Sequence, residues 1–484
     1  MGIGKNMKQI AQKHPRKTAI YFDDKKISYG DFYRSICQLR QNLEELSQEK
    51  QSQKVAILIG NEPAFLELFF AVVAMGWVAI PFDPKWSRRE AVQIMDEAEP
   101  DLLITSKSFF QATAYSFDCI HYVEDLKRTT ENTNTNVWNV FSNEHFYLGF
   151  TSGSTGTPKG FIRNHESWLA SFIAAEKAFH YNHDDIIIAP GPLCHSLSLF
   201  GAVHALHIGA SFYLTPSFSA ESTFDILSDG RATVIYAVPT MLHGLAQQTG
   251  STNKKIPILS SGAKLTPKIK NKLQKTFPAG RIYEYYGASE LSFVSYATEE
   301  MTELHPHSVG KAFPGVRISI RNQSNELVPN GEIGNIFIES DFLFTGYLNN
   351  KKTTSEVLTP YGANIGDLGF INHDGLLTII GREKNMIITG GLNVYPEEVE
   401  KVIKEMKSIK EAIVIGLADE YWGQKVVALI MLNEDISTVD TEHIKVYCKK
   451  QLASYKCPKE IHVVDVFPYT STGKIARKEL NLIL

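Results

Sequence analysis

From about residue 53, short apolar runs alternate along the chain with stretches of helical periodicity. The runs at 54–60, 78–82 and 101–105 are typical of buried strands, and helices are predicted at 65–75 and 88–97. Further strand-like runs occur at 185–190, 210–214 and 233–239. This alternation of strands and helices predicts an α/β fold with a largely parallel sheet.

The last hundred residues have a different pattern. A helix is predicted at 396–406, because Pro396 suits its first position and the carboxylates of Glu397 and Glu398 stabilise its N-terminus. Apolar runs predict three strands, at 411–419, 425–433 and 460–467, with one more helix among them. We therefore predict a compact α+β unit that begins after a boundary at 382–384.

The most apolar stretch, 64–82, carries Glu67 and is interrupted by Gly76, so we interpret it as a buried helix followed by a strand rather than a membrane span. The N-terminal residues are too polar for a signal peptide. The expected location is therefore cytoplasmic, with no integral membrane segment.

Composition narrows the function classes. A chain of 484 residues with 43% hydrophobic and 21% charged residues predicts a globular protein of two or more domains. The formal net charge of −4 gives no reason to expect nucleic acid as a partner. Five cysteines without a CxxC pair disfavour a zinc ribbon or a disulfide framework.

The stretch TSGSTGTPKG, residues 151–160, combines glycines, hydroxyls and Lys159. It is either a flexible linker or a phosphate-binding loop, because glycines let backbone N–H groups point at an anion. A strand is predicted before it, at 144–150, and a helix after it, at 165–179. A linker is not expected inside such a unit, which favours phosphate. It is not a Walker A loop, because Gly160 follows Lys159.

This loop resembles the phosphate loop of the adenylate-forming (AMP-binding) superfamily, which includes acyl- and aryl-CoA synthetases, luciferase and peptide-synthetase adenylation domains. Further family motifs follow in the same order: PLCHSLSLFG (192–201), SSGAKL (260–265), YYGASE (285–290), IGDLG (365–369), the segment 381–400 and PYTSTGKIARKEL (468–480). The resemblance covers 151–480 and is to an acyl-CoA synthetase or fatty-acid–CoA ligase. Residues 1–150 fit by their α/β pattern only.

The resemblance implies a large N-terminal domain of layered mixed sheets and helices (1–381), a hinge (382–384) and a small mobile α+β lid (385–484). It also implies a two-step reaction. A carboxylate attacks the α-phosphorus of ATP and releases pyrophosphate, and the thiol of coenzyme A then displaces AMP. The expected partners are therefore a carboxylic acid, ATP, Mg²⁺ and coenzyme A.

The resemblance also implies which residues bind the nucleotide. The β- and γ-phosphates would be held by Thr151, Ser152, Gly153, Ser154, Thr155, Gly156, Thr157 and Lys159. Glu290 would ligate Mg²⁺, a hard cation that prefers oxygen ligands, and Ser289 would reach the α-phosphate. The alternative for Glu290 is a surface carboxylate.

Adenine would stack on Tyr286, beside Gly287, with Gly262 and Ala263 forming the opposite wall. The alternative for the tyrosine is a place in the core. The ribose hydroxyls would be bound by Asp367 and Arg382, although an aspartate in GDLG also suits a simple turn.

In the C-terminal part, Lys474 would neutralise charge that develops in the transition state, although a solvated lysine near the end of the chain is the simpler interpretation. Lys384 matches the family's hinge residue, and Gly390 and Gly391 would line the thiol tunnel. From 441 to 484, eight Lys/Arg against four Asp/Glu would either meet the coenzyme's phosphates or form a solvated basic face.

For the acyl group, His195 is either a gate or a core histidine. The pocket would be lined by 196–200, 238–240 and Phe293. Amino-acid-activating relatives usually carry an aspartate in the segment that here reads LCHSLSLFG, which has no carboxylate. This favours a fatty or other apolar acid.

The sequence departs from the family pattern at a few positions: Cys194 for an aromatic residue, Lys264 for proline, Ser289 for threonine, Ile365 for threonine or serine, and Tyr469 for lysine. None removes a charge that the reaction requires. The alternatives are an aryl-CoA ligase, an acid–carrier-protein ligase and a non-catalytic nucleotide-binding protein. A kinase or ATPase is disfavoured because the Walker A pattern is missing.

Overall fold

The computed structural model describes residues 2–47, 53–86, 88–108, 120–126, 138, 140–151, 159–389, 392–419, 422–434, 436–469 and 475–482. The chain divides into two compact units. The first comprises Met1–Arg317 and Ile338–Ala363, and the second comprises Ile318–Phe337 and Asn364–Leu484.

The helices are α1 Met7–Lys13, α2 Tyr29–Leu46, α3 Pro63–Ala74, α4 Arg88–Ala98, α5 Val123–Leu126, α6 His165–Phe179, α7 Ser196–Ile208, α8 Ala220–Ser228, α9 Pro239–Leu245, α10 Pro267–Thr276, α11 Glu299–Leu304, α12 Lys351–Val357, α13 Pro396–Lys404 and α14 Thr441–Gln451. Short 3₁₀ helices span Glu383–Asn385, Ser454–Lys456 and Arg477–Leu482.

The strands up to residue 312 are β1 Thr18–Phe22, β2 Lys25–Ser28, β3 Lys54–Leu58, β4 Val78–Pro81, β5 Leu102–Thr105, β6 Ile120–Tyr122, β7 His145–Thr151, β8 Lys159–Asn164, β9 Ile186–Ile188, β10 Ser211–Leu214, β11 Val234–Ala237, β12 Pro257–Ser260, β13 Arg281–Ala288, β14 Ser292–Ala297 and β15 Lys311–Ala312. The later strands are β16 Arg317–Arg321, β17 Gly334–Glu339, β18 Gly346–Tyr347, β19 Leu358–Thr359, β20 Gly362–Ala363, β21 Asp367–Ile371, β22 Leu377–Arg382, β23 Ile387–Thr389, β24 Leu392–Val394, β25 Ile409–Asp419, β26 Gly423–Leu432 and β27 Glu460–Val463.

One sheet of the first unit has the strand order β18-β8-β7-β4-β3-β5-β6. Strands β7, β4, β3, β5 and β6 run parallel, and β8 and β18 add antiparallel strands at one edge. Helix α3 is buried from Phe65 to Ala74 and leads into β4, which confirms the interpretation of 64–82 as a helix and a strand. Within the described residues, no helix combines the length and the hydropathy needed to cross a membrane.

The second sheet of this unit has the order β15-β14-β13-β12-β11-β9-β10-β1-β2. It is parallel from β13 to β1, and β14, β15 and β2 complete its edges in antiparallel orientation. Buried side chains from β9, β11 and β12 form its core with helices α8, α9 and α10. Ligands of such sheets bind at the carboxyl ends of the parallel strands, so these ends are where the site is expected.

In the second unit, β25 and β26 form a long antiparallel pair, flanked by β23 and, in parallel orientation, by β27. Helix α13 packs Val399 and Ile403 against buried Val414 and Val426 of this sheet. The second unit also contains β21 and β22, which pair antiparallel. The α/β class with a smaller C-terminal α+β part is thereby confirmed.

The second segment of the second unit begins at Asn364, whereas the domain boundary predicted from the sequence lies at 382–384. Strands β21 and β22 therefore belong with the C-terminal residues by packing. The boundary at 382–384, predicted as the start of a compact unit and as a hinge, stays a prediction.

Candidate active site

The paired ends of β7 and β8 flank the predicted phosphate loop. Thr151 lies directly opposite Lys159 in their antiparallel register, while residues 152–158 lie outside the described part of the chain. The helix predicted to follow is α6, which begins at His165. Strand β8 stands between loop and helix, so the direct step from loop to helix implied by the sequence is wrong.

Glu290, Tyr347 and Lys159 meet beside this hairpin. The hydroxyl of Tyr347 donates a hydrogen bond of 2.8 Å to Oε1 of Glu290. Nζ of Lys159 lies 5.6 Å from the centre of the same tyrosine ring, within range of a cation–π contact. Pairing of Tyr347 with Phe161 places β18 alongside β8, and this pairing creates the cluster.

A buried arginine supports the turn that carries Glu290. The side chain of Arg163 is almost fully buried, donates 2.7 Å to the hydroxyl of Ser292, and hydrogen-bonds the backbone oxygen of Phe342. Burial lowers its pKa to about 10, and the negative charge of Glu290 opposes that shift. Ser292 is held at a φ of 55°, which is unusual for a residue other than glycine. The buried guanidinium of Arg163 thus holds the turn that carries Glu290.

The carboxyl ends of β12 and β13 position the residues predicted to surround adenine. Gly262 has a φ of 100° and lies exposed after β12, and Ser261 donates 3.0 Å to the backbone oxygen of Tyr285. Tyr286 is half-buried next along β13. At Gly287 a Cβ would lie 2.0 Å from the oxygen of Ser292, so only glycine fits. Ala263 is exposed in the same turn, and Ser289 is half-buried beside Glu290.

His195 lies at the N-cap of α7 and pairs with a buried aspartate. Its Nε2 is 2.9 Å from Oδ2 of Asp83, a side chain that is 4% exposed. Burial alone would raise the pKa of Asp83, but hydrogen bonds from His195 and from the N–H of Lys85 hold that pKa below its ordinary value. Burial, and next the charge of Asp83, raise the pKa of the neighbouring Cys194 thiol well above its usual range. His195 is partly exposed, which disfavours the core-histidine alternative.

The loop before His195 is held by Asn61. Its side-chain amide donates 2.9 Å to the oxygen of Gly191 and accepts 2.8 Å from the N–H of Leu193. At Gly191 a Cβ would lie 2.6 Å from the Ser198 hydroxyl and 3.3 Å from Met241. Ser198, in the predicted pocket segment 196–200, and Met241, directly after the predicted segment 238–240, therefore both lie near Gly191.

Two of the predicted pocket residues are in direct contact. The rings of Phe200 and Phe293 pack edge to face with centres 5.1 Å apart, and both are buried. Trp168 also packs against Phe200, edge to face, with ring centres 5.3 Å apart. This end of the predicted pocket is therefore aromatic and apolar.

In the second unit, Asp367 and Arg382 are opposite each other on β21 and β22 and form an ion pair of 2.8 Å. Asp367 is buried, whereas the side chain of Arg382 is 42% exposed. Gly366 precedes the aspartate with a φ of 81°, a conformation that disfavours other residues there. Lys384 is exposed on the 3₁₀ turn between β22 and β23.

Gly390, Gly391 and Lys474 lie outside the described residues. On the C-terminal side of Lys474, Arg477 forms an ion pair of 2.6 Å with the buried Glu400 and donates 3.0 Å to the oxygen of Val414. Ile475 forms an isolated antiparallel β-bridge with Tyr469. The segments that flank Lys474 are therefore anchored to the C-terminal sheet.

The structure thus places Thr151 opposite Lys159, brings Lys159 and Glu290 to the same tyrosine, Tyr347, and separately pairs Asp367 with Arg382. Sequence reasoning missed Tyr347, Arg163, Asp83 and Asn61 as supporting residues. The available signal was weak. A tyrosine directly after Gly346 in FTGYLNN and an asparagine after a buried strand are the only local hints.

Two family profiles match the chain. The AMP-binding enzyme profile matches residues 7–348, and the AMP-binding enzyme C-terminal domain profile matches residues 398–474. The chain is 38% identical over 482 residues to the uncharacterized acyl–CoA ligase YhfT of Bacillus subtilis, covering 99% of this chain and 98% of that protein.

Two further similarities extend over nearly the full length. VraA of Staphylococcus epidermidis, provisionally named a long chain fatty acid–CoA ligase, is 30% identical over 476 residues, or 98% of this chain and 97% of that protein. The o-succinylbenzoate CoA synthetase (MenE) of Bacillus subtilis, solved with its acyl-adenylate intermediate, superposes with a TM-score of 0.88 at 23% identity, covering 99% and 98% of the two chains. The likeness to the MenE structure supports the fold of this chain.

Proposed function

Since the chain belongs to the AMP-binding enzyme family, we propose that it is an acid–thiol ligase that forms acyl-AMP and then an acyl-CoA thioester. In the first step a carboxylate oxygen bonds to the α-phosphorus of ATP, and pyrophosphate leaves. In the second step the thiol of coenzyme A attacks the acyl carbon, AMP leaves and the thiol proton is released. An apolar acid is the proposed substrate class.

One observation carries this proposal: the carboxylate of Glu290 accepts a hydrogen bond from the hydroxyl of Tyr347, and the ammonium of Lys159 lies over the ring of the same tyrosine, next to the ends of the β7–β8 hairpin. A polyphosphate needs positive charge and fixed donors, and Lys159 with the predicted loop 151–157 would supply them. The Glu290 carboxylate suits a hard cation that also binds phosphate oxygens. Mg²⁺ held there would neutralise part of the charge of the triphosphate.

Each unit, taken by itself, carries residues proposed to bind one part of the nucleoside. In the first unit, Gly287 leaves no room for a side chain and Tyr286 offers a half-buried ring beside the Gly262 turn. In the second unit, the buried carboxylate of Asp367 is oriented by Arg382 and would accept both ribose hydroxyls. These residues support adenine and ribose binding.

For the acyl group, the apolar contact between Phe200 and Phe293 and the absence of a carboxylate in 193–201 support an uncharged acid. His195, oriented by Asp83, is proposed as the gate of that pocket. The substrates ATP and coenzyme A are abundant in the cytoplasm, which we propose as the location.

We also propose that the C-terminal part, 385–484, moves as a lid about 382–384, bringing Lys474 to the first step and Gly390 and Gly391 to the second. Lys384 on its exposed turn is the proposed pivot. A Lys384→Pro variant, which restricts φ at that position, is expected to slow the two half-reactions unequally. Equal rates for both half-reactions in the variant would contradict the pivot.

The function is tested by a ligation screen with ATP, Mg²⁺ and coenzyme A across straight-chain acids of graded length and aryl acids. At least one acid is expected to yield AMP and thioester in equal amounts. Formation of ADP, or no AMP with any acid, would contradict the proposal. Acid-dependent exchange of pyrophosphate into ATP without formation of a CoA thioester would assign the second step to a carrier protein instead of coenzyme A.

A further inference from the structure

Three side chains of different chemistry converge at the start of helix α7. A carboxylate oxygen of Asp83, the thiol sulfur of Cys194 and a ring nitrogen of His195 all lie within 4.8 Å of one another. The Asp83 side chain is buried and that of His195 is partly exposed. The nucleotide residues described above do not include Asp83 or Cys194.

We propose that Asp83, Cys194 and His195 form a binding site for a transition metal ion of the zinc class. Thiolate, imidazole and carboxylate are the ligands that Zn²⁺ uses in proteins, and three protein ligands with water in the fourth position make a complete tetrahedral shell. The thiolate and carboxylate charges together balance a divalent cation, so the loaded site carries no net charge. That balance matters because Asp83 is buried.

One of the three separations is close to the one that the shell requires, and the thiol sulfur lies within 4.8 Å of the other two ligand atoms. Nε2 of His195 and Oδ2 of Asp83 are 2.9 Å apart, whereas ligand atoms around tetrahedral Zn²⁺ are about 3.3–3.6 Å apart for bonds of about 2.0–2.3 Å. A widening of this separation by about half an ångström, with the sulfur about 3.6 Å from both other atoms, would complete the shell. The ion would replace the proton that now lies between these two atoms and the proton of the thiol. His195 would then carry its proton on Nδ1, and the thiol proton would pass to solvent.

The backbone around the three ligands is held in place by groups that do not bind the ion. The N–H of Lys85 donates 2.9 Å to Oδ1 of Asp83, which leaves Oδ2 directed at His195. Asn61 holds Gly191 and Leu193, immediately before Cys194. Such outer hydrogen bonds orient metal ligands and raise affinity.

The chemistry of this site separates it from the magnesium site proposed at Glu290. A thiolate is a soft ligand that selects zinc-like ions, and Mg²⁺ prefers oxygen ligands only. Millimolar Mg²⁺ is therefore not expected to displace the ion from the site. The proposal rests on the geometry of Asp83, Cys194 and His195 and holds whichever acid the protein activates.

The test is a titration of the metal-free full-length protein with Co²⁺, a coloured substitute for Zn²⁺, in the presence of Mg²⁺. One equivalent is expected to produce a thiolate-to-cobalt charge-transfer band in the near ultraviolet. Zn²⁺ is expected to abolish the band, because it binds such ligands more tightly than Co²⁺. Cys194→Ser is expected to lack the band, and Asp83→Asn to weaken Co²⁺ binding at least tenfold.

The matched control is Cys37→Ser, which removes a different thiol, buried on helix α2. This variant is expected to keep the band. An absence of the band in the parent protein at saturating Co²⁺, or a band that persists in Cys194→Ser, would overturn the proposal. Thermal unfolding of both metal-free variants, measured in parallel, separates a lost ligand from a lost fold.

Discussion

The hydroxyl of Tyr347 donates a 2.8 Å hydrogen bond to Oε1 of Glu290, a residue 57 positions earlier in the chain. The bond joins strand β18 to the turn between β13 and β14. It fixes the direction of the carboxylate proposed to bind Mg²⁺, and the same tyrosine ring lies beside the ammonium of Lys159.

Replacement of Tyr347 by phenylalanine removes this hydroxyl and keeps the ring. Loss of an outer-shell partner typically weakens metal binding about 10- to 100-fold, so the Mg²⁺ concentration for half-maximal adenylation is expected to rise about tenfold. The measurement is acid-dependent AMP formation across a Mg²⁺ series. Tyr361→Phe, the same change at an exposed tyrosine, is the control. An unchanged Mg²⁺ requirement would show that Tyr347 does not position the carboxylate.

Replacement of Asp367 by asparagine keeps the shape and removes the charge proposed to bind ribose. Hydrogen bonds to charged groups contribute about 1.5–3 kcal/mol, so the KM for ATP is expected to rise about 10- to 100-fold while the KM for the acid stays near its original value. Stability is expected to change little, because the Arg382 side chain is 42% exposed and water can solvate it. Asp374→Asn, at an exposed turn of the same unit, is the control. Equal rises in both KM values would argue against a ribose role.

Replacement of Lys474 by alanine tests the role implied by the C-terminal motif. Removal of one group that stabilises developing charge typically costs about 10²–10³ in rate, so AMP formation from acid and ATP is expected to fall by that factor. Thioester formation from supplied acyl-AMP is expected to persist. Lys450→Ala, at the exposed end of helix α14, serves as the control. Adenylation at the original rate would refute the role of Lys474.

The buried histidine His165 predicts how stability depends on pH. Burial lowers its pKa to about 3, and its Nδ1 accepts a 3.1 Å hydrogen bond from the N–H of Ile3. The folded state therefore keeps this ring neutral, while the unfolded chain takes up a proton below about pH 6.5. The contribution is fully present above that pH and is lost as the pH falls toward 3.

In denaturation followed by fluorescence of Trp168, one turn further along helix α6, the free energy of unfolding is expected to decrease between pH 6 and pH 4. One histidine in this state contributes a slope of about 1.4 kcal/mol per pH unit. His165→Gln, which retains an acceptor for Ile3, is expected to reduce the slope by about that amount. His373→Gln, at an exposed turn, is expected to leave it unchanged. The same slope in all three proteins would exclude His165 as its source.

The periodicity of apolar residues located the central strands, because a buried strand needs a run of apolar side chains regardless of its partners. Strand β8 escaped prediction since Lys159, Arg163 and Asn164 interrupt its apolar residues. Arg163 is buried through contacts with Ser292 and Phe342, which no local pattern indicates.

The residues of the candidate site also fall into two groups, those that the local sequence indicates and those that it does not. Lys159, Glu290 and Asp367 lie in short motifs. The glycines and charged residues of these motifs can be recognised from the local sequence alone. Tyr347 and Asp83 act through partners 57 and 112 positions away, and those partners are set by strand pairing and loop packing. Positioning residues of this kind become visible only when the tertiary structure is known.

We propose above that the protein activates a carboxylic acid as its adenylate. The most direct measurement is exchange of labelled pyrophosphate into ATP, with Mg²⁺ and an acid identified by the ligation screen, in the absence of coenzyme A. Exchange is expected to depend on the acid and to fall at least a hundredfold in Lys474→Ala, in line with the loss of one charge-stabilising group. Thioester formation by the parent protein without acid-dependent exchange of pyrophosphate would contradict activation through an acyl adenylate.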